Sequence, residues 1–413
     1  MSIADISAPN AAAEVHRRRS LRFLNFAHFL DHFVILIFPT VVLGLEAVYR
    51  RSYGDLLALS TAAFTAFGLF ALPCGWLADH WSRRNMMAIY FLGTGLSCIA
   101  VGLTQGFHTL AIALFAVGLF AAIYHPVGIP MVIDAAVNRG RTMAWNGVWG
   151  NVGVSVAAGL TAWITATFGW RSAFFIPGAV FLVTGMAYIA LVPKDGAHHA
   201  PKVTAQDVTL DRKLLFAVIG LFMTLAMSSG LVFNALTITL PKIVDARIGH
   251  DLPLALVGAL STLVFLAGGA AQLSIGRAVE RIQPHYLVAG VAMLQLIGVV
   301  WMTYATGWIL LVSLAVAIAA IYAQVTVNDI VLARYTPPKW RGRIYALRFF
   351  IIFTSAGPAV WGIGKLYDRG GFNLVLLTTA IVAGIYALNS LAITFLVGGV
   401  EGRRARAAAV PAE

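Results

Sequence analysis

The sequence predicts an all-α membrane protein, with twelve transmembrane helices in two pseudo-symmetric six-helix bundles. Three observations carry that expectation. The 413 residues are 60% hydrophobic and only 11% charged, where soluble domains run at about 45–50% apolar and about 25% charged. Mean hydropathy is +0.83, and apolar runs long enough to cross a bilayer recur twelve times. The third observation is an internal repeat at an offset near 202 residues.

The spans are expected at 22–48, 56–78, 85–105, 108–133, 142–167, 172–193, 212–240, 253–275, 286–305, 308–332, 343–366 and 374–398. A tail at 1–21 precedes them and another at 399–413 follows. Residues 1–20 hold no apolar signal core, and Asp5 and Glu14 argue against a transit peptide, so the first span is expected to direct insertion. The longest polar interruption, KDGAHHAPKVTAQDVTLDRK from Lys194 to Lys213, comes after six spans. It suggests a linker at 194–211 between a bundle at 22–193 and a second at 212–398.

The net charge of +12 would suit nucleic acid, but its distribution does not. With the N-terminus inside, 21 of the 29 Lys and Arg fall in inside segments and their span edges, seven outside, and Arg348 within a span. That bias places both termini in the cytoplasm. The basic character is therefore topology, with the lipid bilayer rather than nucleic acid as partner. Cys74 and Cys98 lie in apolar spans without metal-ligand or disulfide spacing and are read as packing residues.

The repeat is ordered. Pro39 matches Pro241, Arg139-Gly140-Arg141 matches Arg341-Gly342-Arg343, and Gly169-Trp170 matches Gly371-Phe372. Ala-Ala-Ile-Tyr at 121–124 recurs at 319–322, so an insertion between Thr336 and Lys339 accounts for the change in offset. Two parallel halves place a substrate site between them, near mid-membrane.

The first span carries the densest chemistry. Asn25 to Pro39 reads NFAHFLDHFVILIFP, with His28, Asp31 and His32 inside an apolar run. Ionisable groups are costly in a bilayer and face a bundle interior or a water-filled path. Residues three and four apart share a helix face, so His28 stacks above both Asp31 and His32. A carboxylate beside imidazoles at membrane depth suits proton carriage, and such a group titrates as a unit. A rise of about 1.5 Å per residue puts Asp31, His28 and His125 of the fourth span in one layer. Asn146 and Asn151 of the fifth span fall there too, near Gly147, Gly150 and Gly153.

The loop after the second span reads GWLADHWSRRN, with Gly75, Asp79, Arg83 and Arg84; its counterpart reads GRAVERIQPH, with Gly276, Glu280 and Arg281. A glycine, an acid four residues on and then basic residues resemble the loop signature of the major facilitator superfamily. The resemblance implies the major facilitator fold and puts Asp79 and Arg83 in a cytoplasmic charge network that gates the cycle; Gly75, Arg84, Arg139 and Arg141 are assigned to the same gate, and Asp329 joins it through a pair with Arg348. Within that superfamily, His28, Asp31 and Pro39, then IYHPVG with His125 and Pro126, then Arg139-Gly140-Arg141 and NGVWGNVGVSVAAG are similar to the fosmidomycin-resistance-like transporters. These are proton-driven drug exporters. The pattern departs at Val127, where that group carries an acid.

The resemblance implies export of a drug-like or toxic small molecule from a monomer in the bacterial inner membrane, driven by protons and without a cofactor. Asp31 would carry the proton, with His28, His32 and His125 as neighbours. Asn25, Tyr124, His125, Asn146, Asn151, Asn234, Asn328 and Arg348 would line the substrate cavity. Arg348 either pairs with Asp329 or, facing the cavity, favours an anion through two parallel bonds; proton symport of a small organic anion is the alternative function. Met223 and Met227, with His28 and His32, also suit copper. The eighth span, LVGALSTLVFLAGGAAQ, has neither Met nor His, so copper import is the weaker reading and no metal ligand set is assigned. No phosphate-cradling loop with Lys and no HExxH motif is present, which argues against an enzyme.

Overall fold

The computed structural model describes residues 3–193, 211–248, 252–279 and 281–409. Every secondary-structure element among them is helical. The predicted linker at 194–211 and Glu280 lie outside the described residues, apart from Asp211, as do the side chains of Arg139, Arg341 and Arg343.

The spanning helices are α1 (Ala13–Gly44), α2 (Tyr53–His80), α3 (Arg83–Leu103), α4 (Phe107–Asp134), α5 (Arg141–Phe168) and α6 (Ser172–Leu191). They continue with α7 (Arg212–Ile248), α8 (Leu254–Ile275), α9 (Pro284–Tyr304) and α10 (Trp308–Tyr335). The last apolar stretch, Leu347–Gly402, is broken by non-helical backbone at Gly370 and Gly371. It therefore holds two spans, α11 before the break and α12 after it. Gly371 has φ of 58°, a left-handed conformation that glycine adopts without a Cβ penalty.

Local chemistry sets the helix ends. Ser52 Oγ accepts from the Asp55 amide at 3.0 Å to cap α2, and Ser82 Oγ accepts from the Asn85 amide at 3.1 Å to cap α3. Asn138 Oδ1 does the same for the Arg141 amide ahead of α5. Each satisfies one of the amides that a helix start leaves without a partner.

Two helices depart from the regular spans expected of them. The regular helix of α1 stops at Ile35, resumes as Ile37–Val41 and tightens to a 3-10 turn at Val42–Gly44. Pro39 has no amide to give to the preceding turn, and its ring crowds the carbonyl there. In α4 the backbone widens to a π turn at Tyr124–Gly128 around Pro126. Such turns re-aim side chains and are concentrated at functional sites.

The chain divides into two compact units, one of Met1–Lys202 with Pro253–Thr262 and one of Val203–Leu252 with Leu263–Glu413. In the first, α1 packs on α5, α2 on α4, and α3 on α4 and α6. In the second, α7 packs on the α11–α12 stretch, and α9 on α10 and that same stretch. This repeats the α1–α5, α3–α4 and α3–α6 pairings. Close crossings need small residues: a Cβ on Gly118 would lie 1.9 Å from the Ala63 carbonyl oxygen, so only glycine lets α4 meet α2 this closely.

Candidate functional site: a histidine and carboxylate cluster in the first unit

The site is built where α1, the π turn of α4 and the start of α5 meet. Asp31 is 1% exposed, and its Oδ2 lies 3.4 Å from His125 Nε2. Its Oδ1 has no hydrogen-bond partner among the described residues. An unpaired carboxylate oxygen this deep is costly.

The three imidazoles converge beside it. His28 and His32, one turn apart on α1, bring their Nε2 atoms to 3.1 Å. Ring centroids lie 4.9 Å apart for His28–His32, 5.6 Å for His28–His125 and 5.4 Å for His32–His125. His28 Nδ1 is 2.8 Å from the Asn146 carbonyl oxygen. A carbonyl only accepts, so Nδ1 of His28 carries the ring proton and Nε2 keeps its lone pair.

Asn146 ties the three helices together. Its side chain is 0% exposed and donates to Asn25 Oδ1 at 2.9 Å and to the Tyr124 hydroxyl at 3.0 Å. The Tyr124 hydroxyl also reaches the Leu24 carbonyl at 3.1 Å, and its ring stacks on His28. The glycines of α5 make this approach possible. A Cβ on Gly153 would fall 2.2 Å from the Phe29 carbonyl oxygen, and one on Gly150 only 2.7 Å from His28 Nε2. Asn151 is half-buried on the next turn of α5.

Two residues of this cluster carried no signal in the sequence. The Tyr90 hydroxyl donates to the Ala27 carbonyl at 2.8 Å, and Phe67 sets its ring edge-on to His125. Tyrosine and phenylalanine are ordinary in apolar spans, so only contact reveals them.

Arg83, the first residue of α3, bridges Asp79, at the end of α2, at 2.8 Å and Asp134, at the end of α4, at 2.9 Å. Asp134 completes a network that the loop motif alone did not reveal. Gly75 lies tightly against Pro126: a Cβ there would stand only 3.1 Å from the proline Cβ. Arg84, the residue after Arg83, points elsewhere. It turns inward and donates to the Val192 carbonyl at 3.1 Å and to the Ile189 carbonyl at the end of α6. Successive helix residues point about 100° apart, so neighbouring arginines serve different partners. Arg141 is exposed, and its amide is capped by Asn138.

In the second unit, Arg348 forms an ion pair with Asp329, and the Tyr345 hydroxyl donates to the Asp329 carbonyl at 2.7 Å. Asn328 Oδ1 accepts from the Tyr386 hydroxyl at 3.1 Å. Asn234 donates to the Gly230 carbonyl of its own helix at 2.9 Å. A further cluster, absent from the sequence expectations, joins α9, α10 and α12. Arg334 grips Glu401 with two bonds of 2.7 and 3.1 Å, and the Tyr335 hydroxyl donates to Glu401 at 3.1 Å.

Apolar helices long enough to cross a bilayer, a packing pattern that recurs in both units and ionisable groups buried within the first are those of a polytopic membrane protein. The chain belongs to the Major Facilitator Superfamily, whose profile matches residues 23–361. It is therefore a multi-pass membrane protein of a transporter family and not an enzyme. Over 164 residues it is 26% identical to the Hexuronate transporter of Escherichia coli (strain K12), covering 39% of this chain and 37% of that protein. Over 138 residues it is 31% identical to the Puromycin resistance protein pur8 of Streptomyces alboniger, covering 33% of this chain and 27% of that protein. The chain thus spans well under half the length of either relative. Among solved structures, a D-xylose-proton symporter shares the fold with a TM-score of 0.73 at 14% identity, covering 90% of this chain and 96% of that one. A bacterial homolog of the human lysosomal transporter Spinster does so with a TM-score of 0.71 at 14% identity, covering 92% and 94%.

Proposed function

We propose that this chain is a proton-coupled secondary active transporter, working by alternating access and exporting a drug-like or toxic small molecule. One observation carries the reading: the buried Asp31 carboxylate, facing His125 across two helices with one oxygen unpaired. Asp31 takes up a proton when the site opens to the acidic side and yields it when the site opens to the cytoplasm. The imidazoles of His28, His32 and His125 share the proton, and the group responds as one unit. Asn25, Tyr124, His125, Asn146 and Asn151 in the first unit contact substrate, as do Asn234 and Asn328 in the second. Asp79, Arg83 and Asp134 hold one state of the cycle, with Asp329 and Arg348 in the corresponding role.

The residue order around His28, Asp31, His125 and Pro126 supports the fosmidomycin-resistance-like branch, and the likeness to a puromycin resistance protein supports export. In this reading the bundles are 22–193 and 212–398, both termini are cytoplasmic, and a monomer works in the bacterial inner membrane. A second reading, proton symport of a small organic anion, is favoured by the likeness to a hexuronate transporter.

A thermal-shift screen of purified protein on either side of neutral pH separates the two. Phosphonates, lipophilic cations and small carboxylates are compared for wild type and Asp31→Asn. A ligand specific to the folded state stabilises by about 2.7 kcal/mol at a hundred times its dissociation constant. Stabilisation by phosphonates or lipophilic compounds that depends on pH and on Asp31 supports export. Stabilisation by carboxylates alone overturns it in favour of uptake.

A further inference from the structure

We propose that His28, His32 and His125 form a binding site for one borderline divalent transition-metal ion, of the class of Zn2+, Co2+ or Ni2+. Each ring offers one nitrogen, and these three nitrogens lie within 4.8 Å of one another. The Nε2 atoms of His28 and His32 are themselves 3.1 Å apart. Two nitrogens each about 2.0–2.1 Å from a tetrahedral ion stand about 3.3 Å apart. The existing separation therefore needs almost no movement to accept an ion. Histidines four apart on one helix face are the spacing that lets both reach a single metal.

The surroundings match a metal site more closely than a packing cluster. Metal-bound histidines give their other N–H to a carbonyl or carboxylate, which fixes the tautomer. His28 has that arrangement, with Nδ1 held on the Asn146 carbonyl at 2.8 Å and Nε2 turned to His32. His125 has its carboxylate in Asp31, 3.4 Å from Nε2. The donors are all imidazole, which suits Zn2+, Co2+ and Ni2+ and does not suit Mg2+ or Ca2+, whose ligands are oxygens. Three protein ligands leave a fourth position for water or another small ligand. The ion joins α1, through His28 and His32, to the π turn of α4, through His125. A bound ion takes the imidazole lone pairs that would otherwise share the proton, so metal binding is measured by itself, without a transport readout, and its failure leaves the role of Asp31 untouched.

The test is metal binding by the full chain, purified without a histidine tag and stripped with a chelator. Co2+ is titrated by visible absorption and Zn2+ by calorimetry. Wild type is expected to bind one ion per chain, with the intense absorption of four-coordinate Co2+. His32→Gln and His125→Gln are each expected to weaken binding by about tenfold or more, while His108→Gln, at an exposed position, leaves it unchanged. Should either histidine variant fail to fold, Gly150→Ala provides the check, because its Cβ displaces the His28 ring. Absence of saturable binding in wild type, or wild-type affinity in the folded site variants, overturns the proposal.

Discussion

The Asp31 carboxylate stands 3.4 Å from His125 Nε2, although 94 positions separate them in the chain and they lie on different helices. Asp31→Asn keeps the shape of the side chain and removes its proton chemistry. The variant is expected to fold, and to exchange labelled for unlabelled substrate across proteoliposomes. It is expected not to accumulate substrate against a gradient. Loss of exchange and accumulation together would instead make Asp31 a structural or substrate-binding residue.

Packing of α5 on α1 depends on Gly153, whose added Cβ would meet the Phe29 carbonyl oxygen at 2.2 Å. Gly153→Ala is expected to destabilise by about 1–3 kcal/mol through overpacking. Gly147→Ala, with nothing within 4 Å, is expected to be neutral or to stabilise by up to about 1 kcal/mol through helix propensity. Thermal unfolding in detergent separates the pair; equal melting temperatures would contradict the crossing.

Adjacent arginines are expected to behave differently. Arg84 is buried on the carbonyls that end α6, so Arg84→Met leaves acceptors unpaired and costs about 1–3 kcal/mol. Arg83 bridges Asp79 and Asp134, whose side chains are 60% and 29% exposed, and each such pair contributes only about 0–1 kcal/mol. Arg83→Met is therefore expected to leave the melting temperature nearly unchanged while altering transport rate. A larger stability loss for Arg83 than for Arg84 would reverse the assignment.

The Arg348–Asp329 pair is lopsided, with side chains 5% and 44% exposed. Asp329→Ala strands a buried guanidinium, and removing one partner costs more than removing both. Asp329→Ala is expected to be less stable than the double variant Asp329→Ala with Arg348→Met. Chemical or thermal unfolding of the three proteins measures this, and additive losses would show that the two residues act independently.

Hydrophobic run lengths and the repeat were enough to read the helices, because a bilayer imposes a minimum apolar length. The layer shared by His28, Asp31 and His125 was legible from helical rise alone. The break before Pro39 follows from a missing amide, but the sequence does not say whether the chain kinks or stops there. The π turn around Pro126 was not legible, since it depends on how α1 and α5 press on α4. Asn146 was legible as a polar residue in that layer. Its backbone carbonyl, which orients His28, was not, because every residue has one. Asp134 and Glu401 sit at span ends where acids are common, and only their arginine partners single them out.

Proton flux coupled to substrate tests the central claim most directly. Wild type and Asp31→Asn are placed in proteoliposomes containing a pH-sensitive dye, and substrate is added without an imposed pH gradient. The account predicts a substrate-dependent pH change for wild type and none for Asp31→Asn, although both bind substrate. An equal pH change in the two proteins would contradict proton carriage by Asp31.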